Sequence, residues 1–241
     1  MPTPHAAPST PTRLDLRDQG VDAAALAKHL ADPEAARWIA LDLAMNPLGP
    51  TGARVLAACR SLMTLAILDL STTGLGDDGA AALSHATLPA LRWLDLSTNG
   101  VGPEGAAHLA RMTTLVELRA LRFAGTADAW EPGTPEHFLG PEGAAALAGT
   151  PHLMNLEALA LPLHALGDAG AAAIADSPFL TQLRRLDLSW NEVGDPGAAA
   201  LLASPALAGL TTLDLRGSAL SAKTRAALEA RFGAGLSLDP A

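Results

Sequence analysis

The chain has 241 residues, of which 49% are apolar, 3% are aromatic and none is tyrosine, and its formal net charge is −9. The apolar share supports a large core, but one built from leucine, valine, isoleucine and alanine in thin layers rather than around aromatic rings. An acidic chain with only two lysines, Lys28 and Lys223, lacks the cationic contacts of non-specific nucleic-acid binding, and no run of 18 apolar residues offers a membrane-spanning helix.

Residues 1–11, MPTPHAAPSTP, hold four prolines and no positively charged stretch leading into an apolar run. They are expected to form a disordered tail rather than a secretory signal. From residue 12 to residue 241 the chain is expected to form one domain, because a single repeat runs through it. The tripeptide Leu-Asp-Leu recurs at 14–16, 41–43, 68–70, 94–96, 186–188 and 213–215, with degenerate copies at Leu118-Arg119-Ala120 and Leu159-Ala160-Leu161. The first leucines are spaced by 27, 27, 26, 24, 41, 27 and 27 residues. The long step reads as a repeat of 27 carrying an insertion of 14, at about 124–138. Leu236-Ser237-Leu238 reads as a truncated ninth strand over the open end.

Two glycine columns keep the same period. The first is Gly49, Gly76, Gly102, Gly140, Gly167 and Gly194, with Ser221 in register at the end; Pro or Asp follows each glycine. Gly or Ser at the cap, Pro at the first helical position and Asp near the positive end of the dipole are helix-start signals. Alanine-rich runs such as Ala80-Ala81-Ala82-Leu83 then favour helix. The second column lies three residues on, from Gly52 to Gly197. Glycine inside a helix costs about 1 kcal/mol against alanine, so its recurrence predicts a close helix-to-helix or helix-to-strand approach that a Cβ would block. Each unit is therefore a short strand, a tight turn and a helix.

The motif Leu-x-x-Leu-Asp-Leu-Ser-x-Asn-x-Val-Gly-x-x-Gly-Ala, at Leu91–Ala106 and Leu183–Ala198, resembles the ribonuclease-inhibitor type of leucine-rich repeat. The resemblance runs from Thr12 nearly to the end. It implies an α/β solenoid of about eight repeats, an arc with a parallel β-sheet on its concave face and α-helices on its convex face. Members of that type bind nucleases, act as sensors in immune receptors or activate small GTPases. In the family the turn asparagine, here Asn46, Asn99 and Asn191, bonds to the backbone; Gln19, Thr73, Phe123, His164 and Ser218 are assigned to that position in the other repeats.

With the leucines inward, strand alternation sends the residues one before, one after and three after each first leucine to the concave surface. The column one before includes Trp93, Glu117 and Arg185, and the column one after runs Asp15, Asp42, Asp69, Asp95, Arg119, Ala160, Asp187 and Asp214. The aspartates are read either as an acidic stripe for a basic partner or as a family turn feature. Arg119 and Ala160 interrupt them beside Arg122, Phe123 and His164, where the insertion also leaves, carrying Trp130. Trp and Arg are enriched at binding hot spots. The expected partner-binding residues are therefore Trp93, Glu117, Arg119, Arg122, Trp130 and Trp190, with Asp42, Asp69 and Asp95 on the acidic stripe.

Motifs of chemistry are not supported. Asp95-x-Ser97-x-Asn99-Gly100 resembles the start of a calcium loop, but Ala106 stands where the bidentate glutamate is required. The seven histidines share no column and make no His-Glu-x-x-His pair, and Cys59 is the sole cysteine. It permits no internal disulfide, and a reducing, cytoplasmic compartment is expected. Neither a nucleophile elbow nor a phosphate-binding Gly-Lys-Ser/Thr loop is present. The expectation is a monomeric protein-interaction module, not an enzyme, with no cofactor or metal and with no nucleic-acid or membrane partner. Regulation of a small GTPase and a scaffold or sensor segment of a larger protein are the alternatives.

Overall fold

The computed structural model describes residues 12–126 and 138–239. Nine parallel strands form one sheet in strict chain order: β1 (Thr12–Asp15), β2 (Trp38–Asp42), β3 (Ile67–Asp69), β4 (Trp93–Asp95), β5 (Ala120–Arg122), β6 (Ala158–Ala160), β7 (Arg185–Asp187), β8 (Thr212–Asp214) and β9 (Leu236–Ser237). Each strand up to β8 is followed by a helix: α1 (Ala23–Leu30), α2 (Gly49–Ala58), α3 (Gly76–Leu83), α4 (Pro103–Leu109), α5 (Gly140–Ala148), α6 (Gly167–Ala175), α7 (Asp195–Ala203) and α8 (Ala222–Phe232). Strands stack about 4.8 Å apart while packed helices need about 8–10 Å, so the layers close on the strand side and the array is an arc. Leu236 and Ser237 do add the ninth strand.

Leucine pairs with leucine across the whole sheet, Leu14 to Leu41, Leu68, Leu94, Leu121, Leu159, Leu186, Leu213 and Leu236. The fifth member is Leu121, not Leu118, which corrects the expected register. Leu118 sits three residues earlier in the buried column shared by Leu65, Leu91, Leu156 and Leu183. Phe123 likewise occupies the buried column of Leu43, Leu70, Leu96 and Leu161, not the turn position assigned to it. The steps around β5 become 27 and 38, so the excess over a 27-residue repeat is 11 residues rather than 14. Most of that segment, residues 127–137 with Trp130, lies outside the described residues, as does the tail 1–11.

The turn after each strand is roofed by the next repeat, and its backbone groups need partners there. Asn46 donates from Nδ2 to Leu16 O (2.8 Å) and Leu43 O (2.9 Å) and accepts the N–H groups of Gln19 (3.1 Å) and Val21 (2.8 Å) on Oδ1. Asn99 and Asn191 repeat the pattern toward Leu70 O (2.7 Å) and Leu161 O (2.6 Å). His164 stands at the same position and makes the same two links with an imidazole: Nε2–H donates to Phe123 O (2.6 Å), and Nδ1 accepts the Leu139 N–H (3.3 Å). This fixes a neutral tautomer, and its ring meets Phe123 edge-on at 5.4 Å.

The helix starts divide into two kinds. Where the preceding repeat supplies an aspartate, its carboxylate caps the next helix: Asp77 Oδ1 accepts from Gly102 N (2.7 Å) and Gly105 N (3.0 Å), and Asp168 Oδ1 from Gly194 N (2.7 Å) and Gly197 N (2.9 Å). Asp195 does the same for Ser221 N (2.9 Å), and that bond holds its carboxyl below the ordinary range. Where the preceding repeat has proline, as before Gly76 and Gly167, the glycine turns left-handed (φ 59° and 57°) and donates to Asn99 O and Asn191 O of the next turn. The aspartates thus serve the neighbouring helix, beyond the dipole of their own. The terminal helix α8 presents Lys223 and Glu229 outward and buries Leu228 and Phe232, a polar cap on the stack.

Two measurements test this construction. A Cβ at Gly52 would stand 2.6 Å from Leu48 Cβ, four residues back in its own turn, an atom that cannot move without the backbone; the predicted approach of a neighbouring helix is seen at Gly105, where a Cβ would stand 3.1 Å from Ala80 Cβ. Gly52→Ala is expected to lose about 1–2 kcal/mol in urea unfolding despite alanine's better helix propensity, and a stabilised variant would refute the close-approach reading. Burial of His164 pushes its pKa down to about 4 from 6.5. Between those values the unfolded chain takes up a proton that the folded chain refuses, so stability falls as the pH drops through the window. The loss is complete near the lower limit and amounts to roughly 3 kcal/mol. His164→Asn keeps a donor and an acceptor and should flatten this decline; parallel curves for the two proteins would remove His164 from the account.

Candidate functional site

Parallel sheets are usually covered on both faces. Here helices cover one face, and on the other two rows of side chains lie along the concave surface. With the corrected register the row before the central leucines reads Arg13, Ala40, Ile67, Trp93, Ala120, Ala158, Arg185 and Thr212; the row after reads Asp15, Asp42, Asp69, Asp95, Arg122, Ala160, Asp187 and Asp214.

The aspartates have a structural task. Each accepts, on Oδ1, the backbone N–H two residues on: Asp42 from Ala44 (3.0 Å), Asp69 from Ser71 (2.9 Å), Asp95 from Ser97 (2.8 Å) and Asp187 from Ser189 (2.9 Å). Ser71 Oγ and Ser189 Oγ donate to the same oxygens at 2.7 Å. These Asx turns bend the chain out of the strand. The two repeats without aspartate dispose of that N–H in other ways. The Ala124 N–H donates to Ser97 Oγ of the preceding repeat (3.0 Å), and the corresponding residue above Ala160 is Pro162, which has no N–H.

Trp93 divides the face into two troughs. The first, about 270 Å³, is lined by Arg13, Asp15, Ala40, Asp42, Ile67, Asp69 and Trp93 and is acidic. Arg17 approaches Asp69 from the rim at 4.0 Å. The second, about 410 Å³, spans β4 to β9. Its floor is Ala120, Ala158 and Ala160, and Trp93, Arg122, Arg185, Asp187 and Asp214 stand around it. Asp95 lies at the boundary with 4% exposure, under the Arg122 guanidinium at 3.8 Å. Burial pushes its carboxyl up, and Asp69 adds to the rise, while the Ser97 hydrogen bonds and Arg122 oppose it.

The structure brings together Trp93, Asp42, Asp69, Asp95 and Arg122 of the expected site. It does not bring in Glu117 or Arg119. With the register at Leu121 these precede the strand, Glu117 ending a 3₁₀ turn (Thr113–Glu117) and Arg119 donating to Asn155 O (3.1 Å) beside Glu117 (3.7 Å) on the rim. The break in the aspartate row is therefore Arg122 and Ala160. Trp190 is 56% exposed, but it lies in the turn past β7, with its ring against the Gly217 backbone, and lines neither trough. Trp130 is outside the described residues. The sequence reading missed Ala120, and it did not single out Arg185, Asp187 and Asp214 although they stood in its columns. The buried pair Leu118 and Phe123 was the signal for the right register.

The family model described as Leucine Rich repeat matches residues 39–57, 61–84, 89–110, 152–175 and 180–202. No curated protein is matched in sequence. Among solved structures, human 5T4 (Wnt-activated inhibitory factor 1, trophoblast glycoprotein) superposes with a TM-score of 0.53 at 24% identity, over 85% of this chain and 70% of that one. TLR13 in its complex with ssRNA13 gives a TM-score of 0.53 at 23% identity, over 85% of this chain and 26% of that one. These likenesses are of fold. With the unbroken leucine ladder and the repeat segments matched on both sides of β5, the chain is a leucine-rich-repeat solenoid.

Proposed function

We propose that this chain is a non-enzymatic interaction module, of the ribonuclease-inhibitor type, that grips a partner protein with the concave face of its sheet. Leucine-rich repeats generally mediate protein–protein interaction. The observation that carries the finer reading is the bare face of a parallel sheet: among the described residues no element lies over the troughs beside Trp93. The face holds an aromatic side chain, three arginines and a row of carboxylates, side chains suited to protein recognition. The carboxylate row and the net charge of −9 disfavour a phosphate backbone as the partner of this chain. The module acts as a monomer in a reducing, cytoplasmic setting. The lone Cys59 is half-buried against the leucine core, with Sγ 3.1 Å from Ser61 Oγ.

The test is capture with chemical cross-linking from a lysate of the source cells, comparing wild type with Ala158→Arg/Ala160→Arg of native circular dichroism. The wild type is expected to retain a protein cross-linked to the concave face. The double variant should weaken that complex by about 100-fold, roughly 3 kcal/mol. A partner held equally by both proteins would move the site off the second trough. Accelerated GTP hydrolysis by the captured partner would make the module a GTPase regulator.

A further inference from the structure

The second trough has a shape and a charge that narrow what it accepts. Its floor is three alanines on two adjacent strands, Ala120 on β5 and Ala158 and Ala160 on β6, in rows that elsewhere carry Asp, Ile, Trp, Arg, Thr and a single alanine, Ala40. The gap was not free: losing the aspartate at Arg122 and Ala160 left turn N–H groups that Ser97 and Pro162 had to resolve. Departure from a local rule with a matched compensation is where function or strain is expected.

The carboxylates at this end of the face are already engaged. Asp187 accepts from Ser189 N (2.9 Å) and Oγ (2.7 Å), and Asp214 is paired with Arg216 at 2.6 Å. The guanidinium groups are less satisfied. Arg122 is 61% exposed and 3.8 Å from Asp95; Arg185 is exposed and makes no ion pair among the described residues. Trp93 and Arg185 close the two ends of the row that holds Ala120 and Ala158, and Arg122 stands beside Ala160 in the other row. The donors left open to a ligand over the floor are therefore those of the two guanidinium groups, Arg185 above all, beside carboxylates that already accept from Ser189 and Arg216.

Resting on the protein-binding reading above, we infer that this socket takes an aromatic side chain from a segment of the partner protein, with a carboxylate within three positions of it in the partner's sequence. The ring fills the alanine floor, meets the Trp93 edge and lies within reach of cation–π contact with the two guanidinium groups. The carboxylate forms the charge-assisted bond that Arg185 lacks. A trough of about 410 Å³ exceeds what a small aliphatic side chain fills.

The experiment displays random twelve-residue peptides on phage and pans them against the full chain, then measures enriched peptides by fluorescence anisotropy. Enriched sequences are expected to share an aromatic residue with Asp or Glu within three positions. Ala158→Trp, which fills the socket with a side chain that the same row already tolerates at Trp93, should weaken them by about tenfold or more. Panning against Arg185→Glu should replace the acidic residue by Lys or Arg. Both variants change exposed or half-exposed positions, and matching urea midpoints will show that they fold. Failure to enrich any sequence, enrichment without the aromatic–acidic pair, binding indifferent to Ala158→Trp, or no charge reversal with Arg185→Glu overturns the inference. Self-association of the wild type that Ala158→Trp abolishes also overturns it, by giving the socket to a second copy. A partner cross-linked to the concave face despite these failures would leave the protein-binding reading standing and remove only the socket's assignment.

Discussion

The arc depends on satisfying the backbone where one repeat roofs the turn of the last. A solenoid buries those N–H and C=O groups at every layer, and each one left unpaired costs about 1–3 kcal/mol. Asn46, Asn99 and Asn191 solve this with a side chain that donates to one layer and accepts from it at once. Thr73 bonds to Leu70 O and to Asn99 Oδ1, extending the ladder to a repeat that lacks its own asparagine. His164 fills the same role only as a neutral imidazole, so one layer of the stack is tied to pH while its neighbours are not.

The same accounting explains the surface. An aspartate row on a concave face invites reading as an acidic lure, yet each carboxylate spends one oxygen holding the turn that follows its strand. The potential it leaves on the face is a consequence of that task, and it still steers cations inward. The informative positions are those freed from the task. Arg122 and Ala160 are such positions, and they border the larger trough. Function is sought here where the structural rule is relaxed, because the rule explains the rest.

A third economy lies on the convex side. Asp77, Asp168 and Asp195 each cap the helix of the following repeat, and proline in that place passes the duty to a left-handed glycine. Capping across repeats couples neighbouring layers, as the ladder does on the other side of the core. Stability in such an array is a sum of layer and interface contributions, so these cross-layer bonds are where cooperativity along the arc is set.

The repeat period, the leucine core, the strand-turn-helix unit and the glycine approach were all legible in the sequence, because each rests on spacing that a 27-residue translation preserves. The cap was not: Asp after the glycine suits the dipole of its own helix, and only stacking carries its carboxylate to the helix start of the next repeat. The register of β5 was not. Leu118 and Leu121 both occupy leucine positions of the motif, three apart, and local pattern cannot choose between them where Leu-Asp-Leu is lost and an insertion follows. Hydrogen bonding to β4 and β6 chose Leu121, because that register buries Leu118 and Phe123 as well, where the other would have buried Ala120. That single decision moved Glu117 and Arg119 to the rim, set Arg122 beside Asp95 and laid Ala120 next to Ala158. The sequence determined that a concave face would exist; pairing between strands far apart in the chain decided which side chains stand on it.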